Sequence, residues 1–559
     1  MKENQFTPKL FSLLRGGIKK EQVFNDLIAG LIVGIVALPL AIAFAIASGV
    51  SPDKGLITAI IAGIIISVLG GSRVQIGGPT GAFIVIVYAI VQEHGVNGLT
   101  IATFMAGFIL IAMGLARFGN LLKYIPYPLI VGFTSGIAVI IFSSQMKDFF
   151  GLAIDKVPAD FIDKWKVYAL HLNEINWIAF AIALGTVFIA FNFHRVTTKV
   201  PGSIVAILLS TLVVQWFQLP VTTIESTFGE IPNSLSLPTV PSIDMSTIRA
   251  LIQPALAIAF LGGIESLLSA VVADGMIGGR HRSNAELVAQ GVANCASAMF
   301  GGIPATGAVA RTATNVKNGG RTPIAGITHA LVLLMIMLLL APYAKLIPMA
   351  ALAGILVVVA YHMSEWRQFK SLLKGNKSDV LILLVTFSLT IIFDLVIAIE
   401  VGIVLSSFVV MKRMSDSMSI ENAEEAQQNG DSLFEDELPA LPAGIAIYEI
   451  NGALFFGVAQ LFQDTINNLQ KKPKVLILRM RHVPFVDATG VYRLKEVIKQ
   501  FNVQKVTIIL SGVNEKVKED LMKADIYSVL GKDNLLDNIT GSLARANEVL
   551  ASQYGSNQM

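Results

Sequence analysis

Between about Leu27 and Met411 the chain is a succession of apolar stretches that repeatedly reach the roughly 20 residues a helix needs to cross a bilayer. Two of them are interrupted at matching places, by Gly77-Gly78-Pro79-Thr80-Gly81-Ala82 and by Gly301-Gly302-Ile303-Pro304-Ala305-Thr306-Gly307-Ala308. Helix is the economical way to satisfy backbone polar groups in lipid, so a helical bundle is expected and a β-barrel is not. Within that bundle, Gly/Pro breaks are tolerable only where the freed backbone lines a cavity or is buried in protein.

Composition agrees: 54% of the residues are hydrophobic and only 14% charged over 559 residues. About fourteen crossings are expected, several of them short. With the N-terminus on the cytoplasmic side, an even number of crossings gathers Arg15, Lys19, Lys20, Arg73, Arg117, Arg280, Arg282, Lys317, Arg321, Arg367, Lys412 and Arg413 on that same side. Few basic residues, mainly Lys147, Lys156, Lys164, Lys166 and Lys345, remain opposite, as the positive-inside bias requires. Both termini are therefore expected in the cytoplasm of a multi-pass membrane protein, in a plasma or bacterial inner membrane.

The expected organisation is a basic amphipathic lead over 1–26, a transmembrane domain over 27–413, an acidic linker over 414–440 and a small domain over 441–559. The linker carries Glu421, Glu424, Glu425, Asp431, Glu435, Asp436 and Glu437. Beyond it, strands at Ile445–Ile450, Lys474–Met480 and Val506–Leu510 alternate with helices at Val458–Leu469 and Val491–Phe501, an α/β pattern. The single cysteine, Cys295, cannot form an intrachain disulfide and reads as core filling.

The two breaks carry the chemistry. Each frees backbone N–H groups, and the helix that follows presents its positive dipole end, so two such ends facing one another suit a negatively charged guest. Paired breaks in two hydrophobic halves are the sequence pointer to the midplane site of a secondary transporter. Glu265 sits inside an otherwise apolar span, where a carboxylate marks an ion or proton pathway, and Ser269 lies one turn on along the same face. Arg311 is expected to cap the end of the second half-helix or to shape a vestibule that attracts anions. Asp394 and Glu400 read as structural, and His329 and His362 as core or interface histidines whose polar atoms are satisfied. No HExxH, Walker loop, nucleophile elbow or paired zinc ligands occur, so no catalytic residue, bound metal or nucleic-acid partner is expected.

The run Ala37 to Gly49, the segment Gly70-Gly71-Ser72-Arg73, the break at Gly77 to Ala82, Ile264-Glu265-Ser266-Leu267-Leu268, Asp274-Gly275-Met276, Ser283 to Gly291 and the second break together resemble the sulfate permease (SulP) family of anion transporters. The resemblance implies fourteen segments in two inverted seven-segment repeats, a mobile core domain and a gate domain, a homodimer, and substrate held between the third and tenth segments. It also implies that the C-terminal region is a STAS domain, whose signature loop stands as Val486-Asp487-Ala488-Thr489-Gly490. The position that is phosphorylated in related anti-sigma factor antagonists is Ala488, which has no hydroxyl, and Thr489 is read as a helix N-cap.

On this reading Thr80, Gly81, Ala82, Phe83, Thr306, Gly307 and Ala308 cradle a small inorganic or carboxylate anion, and Glu265 with Ser269 couples its uptake to protons. Sodium coupling, anion exchange and an uncoupled channel stay open as alternatives. So does a membrane scaffold that recruits a cytosolic partner through the STAS domain.

Overall fold

The computed structural model describes residues 5–120, 126–154, 157–197, 201–230, 234–235, 237–242, 245–393, 395–422, 441–467 and 473–555. Asp394 and most of the expected acidic linker, Glu424 to Glu437 included, lie outside the described residues. The chain divides into two compact units, Met1–Ile403 and Val404–Met559.

In the first unit, α1 (Lys9–Gly16), α2 (Lys20–Ala47) and α3 (Pro52–Leu69) lead to a two-residue strand β1 (Gly77–Gly78). There follow α4 (Phe83–Leu115), α5 (Tyr127–Ser144), α6 (Met146–Phe150), α7 (Phe161–Leu170), α8 (Trp177–Asn192), α9 (Gly202–Trp216) and α10 (Ile224–Phe228). The second half runs through α11 (Met245–Ile277), α12 (Ser283–Met299), strand β2 (Thr306–Gly307), α13 (Val309–Lys317), α14 (Ile324–Ala344), α15 (Met349–Met363), α16 (Trp366–Leu372), α17 (Lys377–Ile392) and α18 (Leu395–Asp416). Gly95, at φ 68° and ψ −178°, divides α4 into a half-helix and a full span. Six stretches are long and apolar enough to cross a membrane, and three shorter apolar helices accompany them among the described residues.

Hydrogen bonds between distant segments fix the two ends of the bundle. At one end, Lys9 N donates to Gly70 O at 3.0 Å and Arg282 N to Gly71 O at 3.0 Å, while Gln22 Nε2 donates to Gly319 O at 3.1 Å. This basic end gathers the start of α2, the end of α3, the α11–α12 turn and the end of α13. At the opposite end Lys54 Nζ donates to Gly301 O at 3.0 Å, joining the start of α3 to the approach to β2.

Two groups of helices emerge. Helices α2, α3, α4, α11, α12, α13 and α14 pack mainly on one another, as do α5, α8, α9, α15 and α17. Lipid-like surroundings provide no hydrophobic drive between helices, so close backbone approach must supply the packing. Gly30 and Gly34 on α2 meet α14 directly: a Cβ on Gly30 would lie 2.4 Å from Ala325 O. Gly107 on α4 and Gly291 on α12 do the same, with a Cβ on Gly107 placed 2.7 Å from Gly291 O.

The second unit holds a five-stranded sheet in the order β3-β4-β5-β6-β7, with β3 (Ser419–Asn422) antiparallel and β4 (Ile445–Asn451), β5 (Val475–His482), β6 (Thr507–Ser511) and β7 (Leu535–Leu536) parallel. The helix Ala459–Asn467 follows β4 and Ala488–Val503 follows β5. β5 reads Val475 to Met480 as a continuous buried run, as a parallel strand covered on both faces must. Met411 and Met414, in the last turns of α18, pack against this unit's apolar core, and the boundary between the units accordingly falls within that helix. Asp487, and not Thr489, is the N-cap of the helix after β5: its Oδ1 accepts from Gly490 N at 2.7 Å and its Oδ2 from Phe456 N at 3.0 Å. An aspartate one turn ahead of Gly490 reaches the free amide first, which leaves Thr489 inside the helix.

Candidate functional site

The two breaks meet. β1 and β2 run antiparallel with Gly77 opposite Gly307 and Gly78 opposite Thr306, and Ala308 N donates to Ile76 O at 2.8 Å. The pairing is possible because the crossing strands carry no bulk. A Cβ on Gly307 would fall 1.5 Å from Gln75 Nε2, and Gly78 is held at φ 145°.

From this crossing the half-helix Phe83 to His94 runs toward the opposite end and α13 runs toward the basic end. Their first turns leave backbone amides without intrahelical partners. The amides of Gly81 and Ala82 have no acceptor among the described residues. The sequence-predicted residues Thr80, Gly81, Ala82, Phe83, Thr306, Gly307 and Ala308 are therefore brought together around one crossing, and all are buried. Thr306 turns its hydroxyl away, donating to Gly262 O at 2.8 Å, which leaves Thr80 as the hydroxyl nearer the helix ends.

Thr80 Oγ1 donates to Glu265 Oε2 at 2.8 Å, placing the intramembrane carboxylate of α11 directly against the first break. Ser269 does not join it: its hydroxyl lies 3.3 Å from Thr312 Oγ1 on α13, and Thr312 in turn accepts from Ile76 N at 3.0 Å. Arg311 corrects the sequence expectation. It stands in the first turn of α13 and not at its end, is buried, and donates through Nη2 to Pro79 O, within electrostatic range of Glu265. A guanidinium at a helix N-terminus opposes the dipole, so the Pro79 carbonyl and the Glu265 charge are what hold it there.

Gly81 faces Ile141 of α5, Met363 of α15 and Phe44 of α2, so apolar groups from three helices pack against the first break. Toward the basic end, Val309 is 38% exposed.

Sequence reasoning missed the frame behind the cradle. Glu286 is fully buried on α12 and accepts from Gly71 N at 2.8 Å, Ser72 N at 3.1 Å and Gln290 Nε2 at 2.9 Å. Gln75 Nε2 donates to Ser266 Oγ at 2.9 Å, and Asn294 clasps Ala305 through N–H and C=O, both at 2.9 Å. The signal was present as Glu286, Gln290 and Asn294 at i, i+4 and i+8, one polar face along an apolar helix. His329 also departs from expectation: it is buried, but neither ring nitrogen has a hydrogen-bond partner among the described residues. His362 packs on Phe191 and Tyr361 at 5.7 Å each, as an interface residue, and Glu400 is exposed.

The sulfate permease family matches residues 23–386, and the STAS domain matches residues 441–540. The chain is 42% identical over 530 residues to the Bacillus subtilis (strain 168) protein named "Putative sulfate transporter YvdB", covering 94% of this chain and 98% of that protein. It is 30% identical over 527 residues to "Bicarbonate transporter BicA" of Picosynechococcus sp. (strain ATCC 27264 / PCC 7002 / PR-6), covering 92% of each. Among solved structures, the transmembrane domain of a cyanobacterial bicarbonate transporter BicA aligns with a TM-score of 0.63 at 31% identity, covering 68% of this chain and 98% of that one. SLC26A9 aligns with a TM-score of 0.85 at 19% identity over 98% of this chain and 93% of that one, a likeness of fold. With crossed breaks, an intramembrane carboxylate and these matches, the chain belongs to the sulfate permease family and carries a C-terminal STAS domain.

Proposed function

We propose that the protein is a secondary active transporter of small anions of the sulfate, bicarbonate or dicarboxylate class, working as a proton-coupled symporter. Thr80, Gly81, Ala82, Phe83, Thr306, Gly307 and Ala308 form the substrate cradle, where unpaired amides and two dipole ends offset the anion's charge. The observation that carries the reading is the 2.8 Å bond from Thr80 to Glu265, which ties the cradle to the carboxylate of α11. A proton on Glu265 would neutralise that carboxylate and turn it from a repelling charge into a hydrogen-bond donor beside an arriving anion. Anion and proton would then be taken up together.

Coupling answers an electrical requirement. An inside-negative potential opposes entry of an anion by about 2.3 kcal/mol per charge per 100 mV, and a co-transported proton removes one charge's worth. The basic end lies in the cytoplasm in this proposal, with both termini, because Lys19, Lys20, Arg73 and Arg282 cluster there. A homodimer is proposed with it, and the STAS domain, with Ala488 where a phosphorylated hydroxyl would stand, serves as a dimer support or a dock for a cytosolic partner. Uptake of labelled sulfate, bicarbonate and succinate into proteoliposomes, under an imposed proton gradient or an imposed sodium gradient, tests it. Accumulation driven by protons supports the proposal, and accumulation driven only by sodium overturns the coupling.

A further inference from the structure

Helix α1 opens the first unit as a short amphipathic element. At about 100° per residue, Leu13, Leu10, Leu14 and Phe11 form one continuous apolar arc, and Lys9, Ser12 and Arg15 share the other side. Protein covers only half of that arc: Leu10 is buried, whereas Leu14 is 56% and Phe11 44% exposed. Helix α2 continues the exposure, with Phe24, Leu27, Ile28, Leu31 and Ile35 standing out at helical spacing, the stripe that a membrane-spanning helix turns to lipid. The short helix is fastened in place. Lys9 N donates to Gly70 O at 3.0 Å, Arg282 Nη1 donates to Thr7 O at 2.6 Å and Ser12 Oγ at 2.8 Å, and Asn284 Nδ2 donates to Gln5 Oε1 at 3.0 Å. These bonds set α1 against the end of α3 and the start of α12, at the basic end.

The charge around this apolar edge is of one sign. Arg15, Lys19 and Lys20 are exposed and none of them is ion-paired among the described residues, with Glu21 the exposed acid beside them. Arg280, in the adjoining α11–α12 turn, and Lys317, at the end of α13, are exposed as well. The other acids of the surrounding elements are turned inward. Asp26 accepts from Arg321 N, Thr322 N and Thr322 Oγ1, Asp274 from His281 N, and Glu286 from Gly71 N and Ser72 N.

We infer that α1 and the turn into α2 form a binding site for acidic phospholipid: Phe11 and Leu14 enter the leaflet at the basic end, and Arg15, Lys19 and Lys20 hold the phosphodiester head. Two exposed apolar side chains fall far short of the area that a stable protein partner buries, and they continue the lipid-facing stripe of α2. An interfacial helix with its apolar edge at the acyl boundary and its cations at headgroup depth draws acidic lipid by charge. This surface lies outside the cradle, so its lipid is independent of which ion drives transport.

The test uses the full-length protein in phosphatidylcholine vesicles doped with a brominated lipid, either phosphatidylglycerol or phosphatidylcholine. In a Cys295→Ser background, Leu14→Cys carries a bimane label, and Leu31→Cys, on the α2 stripe, carries it in a parallel protein. The label at position 14 should be quenched about twofold or more strongly by brominated phosphatidylglycerol than by brominated phosphatidylcholine at equal mole fraction. The label at position 31 should be quenched by both, which reports a folded, inserted chain. The preference at position 14 should vanish in Arg15→Gln/Lys19→Gln/Lys20→Gln and weaken as salt is raised. No quenching at position 14 while position 31 is quenched would overturn the membrane placement, and equal quenching by the two lipids would overturn the headgroup recognition. A preference abolished by added glycerol 3-phosphate would assign the cations to a soluble phosphate and overturn the lipid site.

Discussion

Thr80 and Glu265, 185 residues apart, are joined by a 2.8 Å hydrogen bond that links the first helix break to the carboxylate of α11. Replacing Thr80 by Val keeps the shape and removes the donor. A buried carboxylate that loses a hydrogen bond loses about 1–3 kcal/mol, so Thr80→Val should reduce the initial rate of uptake at low anion concentration by about tenfold or more. Thr80→Ser should retain most of it, and equal rates for both variants would show that the hydroxyl is dispensable.

The crossing of β1 and β2 leaves no room opposite Gln75. Gly307→Ala should lower thermal stability by about 1–3 kcal/mol and abolish uptake, because the added methyl falls on the Gln75 amide. Shortening that side chain in Gly307→Ala/Gln75→Ala should recover part of the stability, a coupling that a double-mutant cycle reads directly. Strictly additive losses would place the strain elsewhere.

In the STAS domain the two polar residues of the signature loop should behave differently. Asp487→Ala removes the N-cap bond to Gly490 and the bond to Phe456, at about 1–2 kcal/mol, and should speed limited proteolysis of this domain in the full chain. Thr489→Ala should change the cleavage rate little. The reverse order would restore Thr489 as the cap.

Much of this molecule is legible in its sequence. Gly77 to Ala82 and Gly301 to Ala308 announced two half-helices because Gly and Pro break a membrane helix only for a reason, and Glu265 stood out as a lone carboxylate in an apolar span. The STAS strands fell within one or two residues of their expected ends, since buried parallel strands write themselves as runs such as Val475 to Met480. What could not be read were partners supplied from afar. Glu286 takes its amide donors from Gly71 and Ser72, 215 and 214 residues away, and Arg311 is placed by Pro79 O, 232 residues earlier. Helix dipole logic put Arg311 at the wrong end of α13 because it sees one helix at a time, whereas the carbonyl that fixes the guanidinium belongs to another.

The central claim is that Glu265 carries the proton that moves with the anion. Proton-gradient-driven accumulation and anion counterflow without a gradient, measured on wild type and Glu265→Gln in the same proteoliposomes, test it most directly. The amide cannot exchange a proton but keeps an acceptor for Thr80, so accumulation should be lost while counterflow persists. Gradient-driven accumulation left intact in Glu265→Gln would contradict the account.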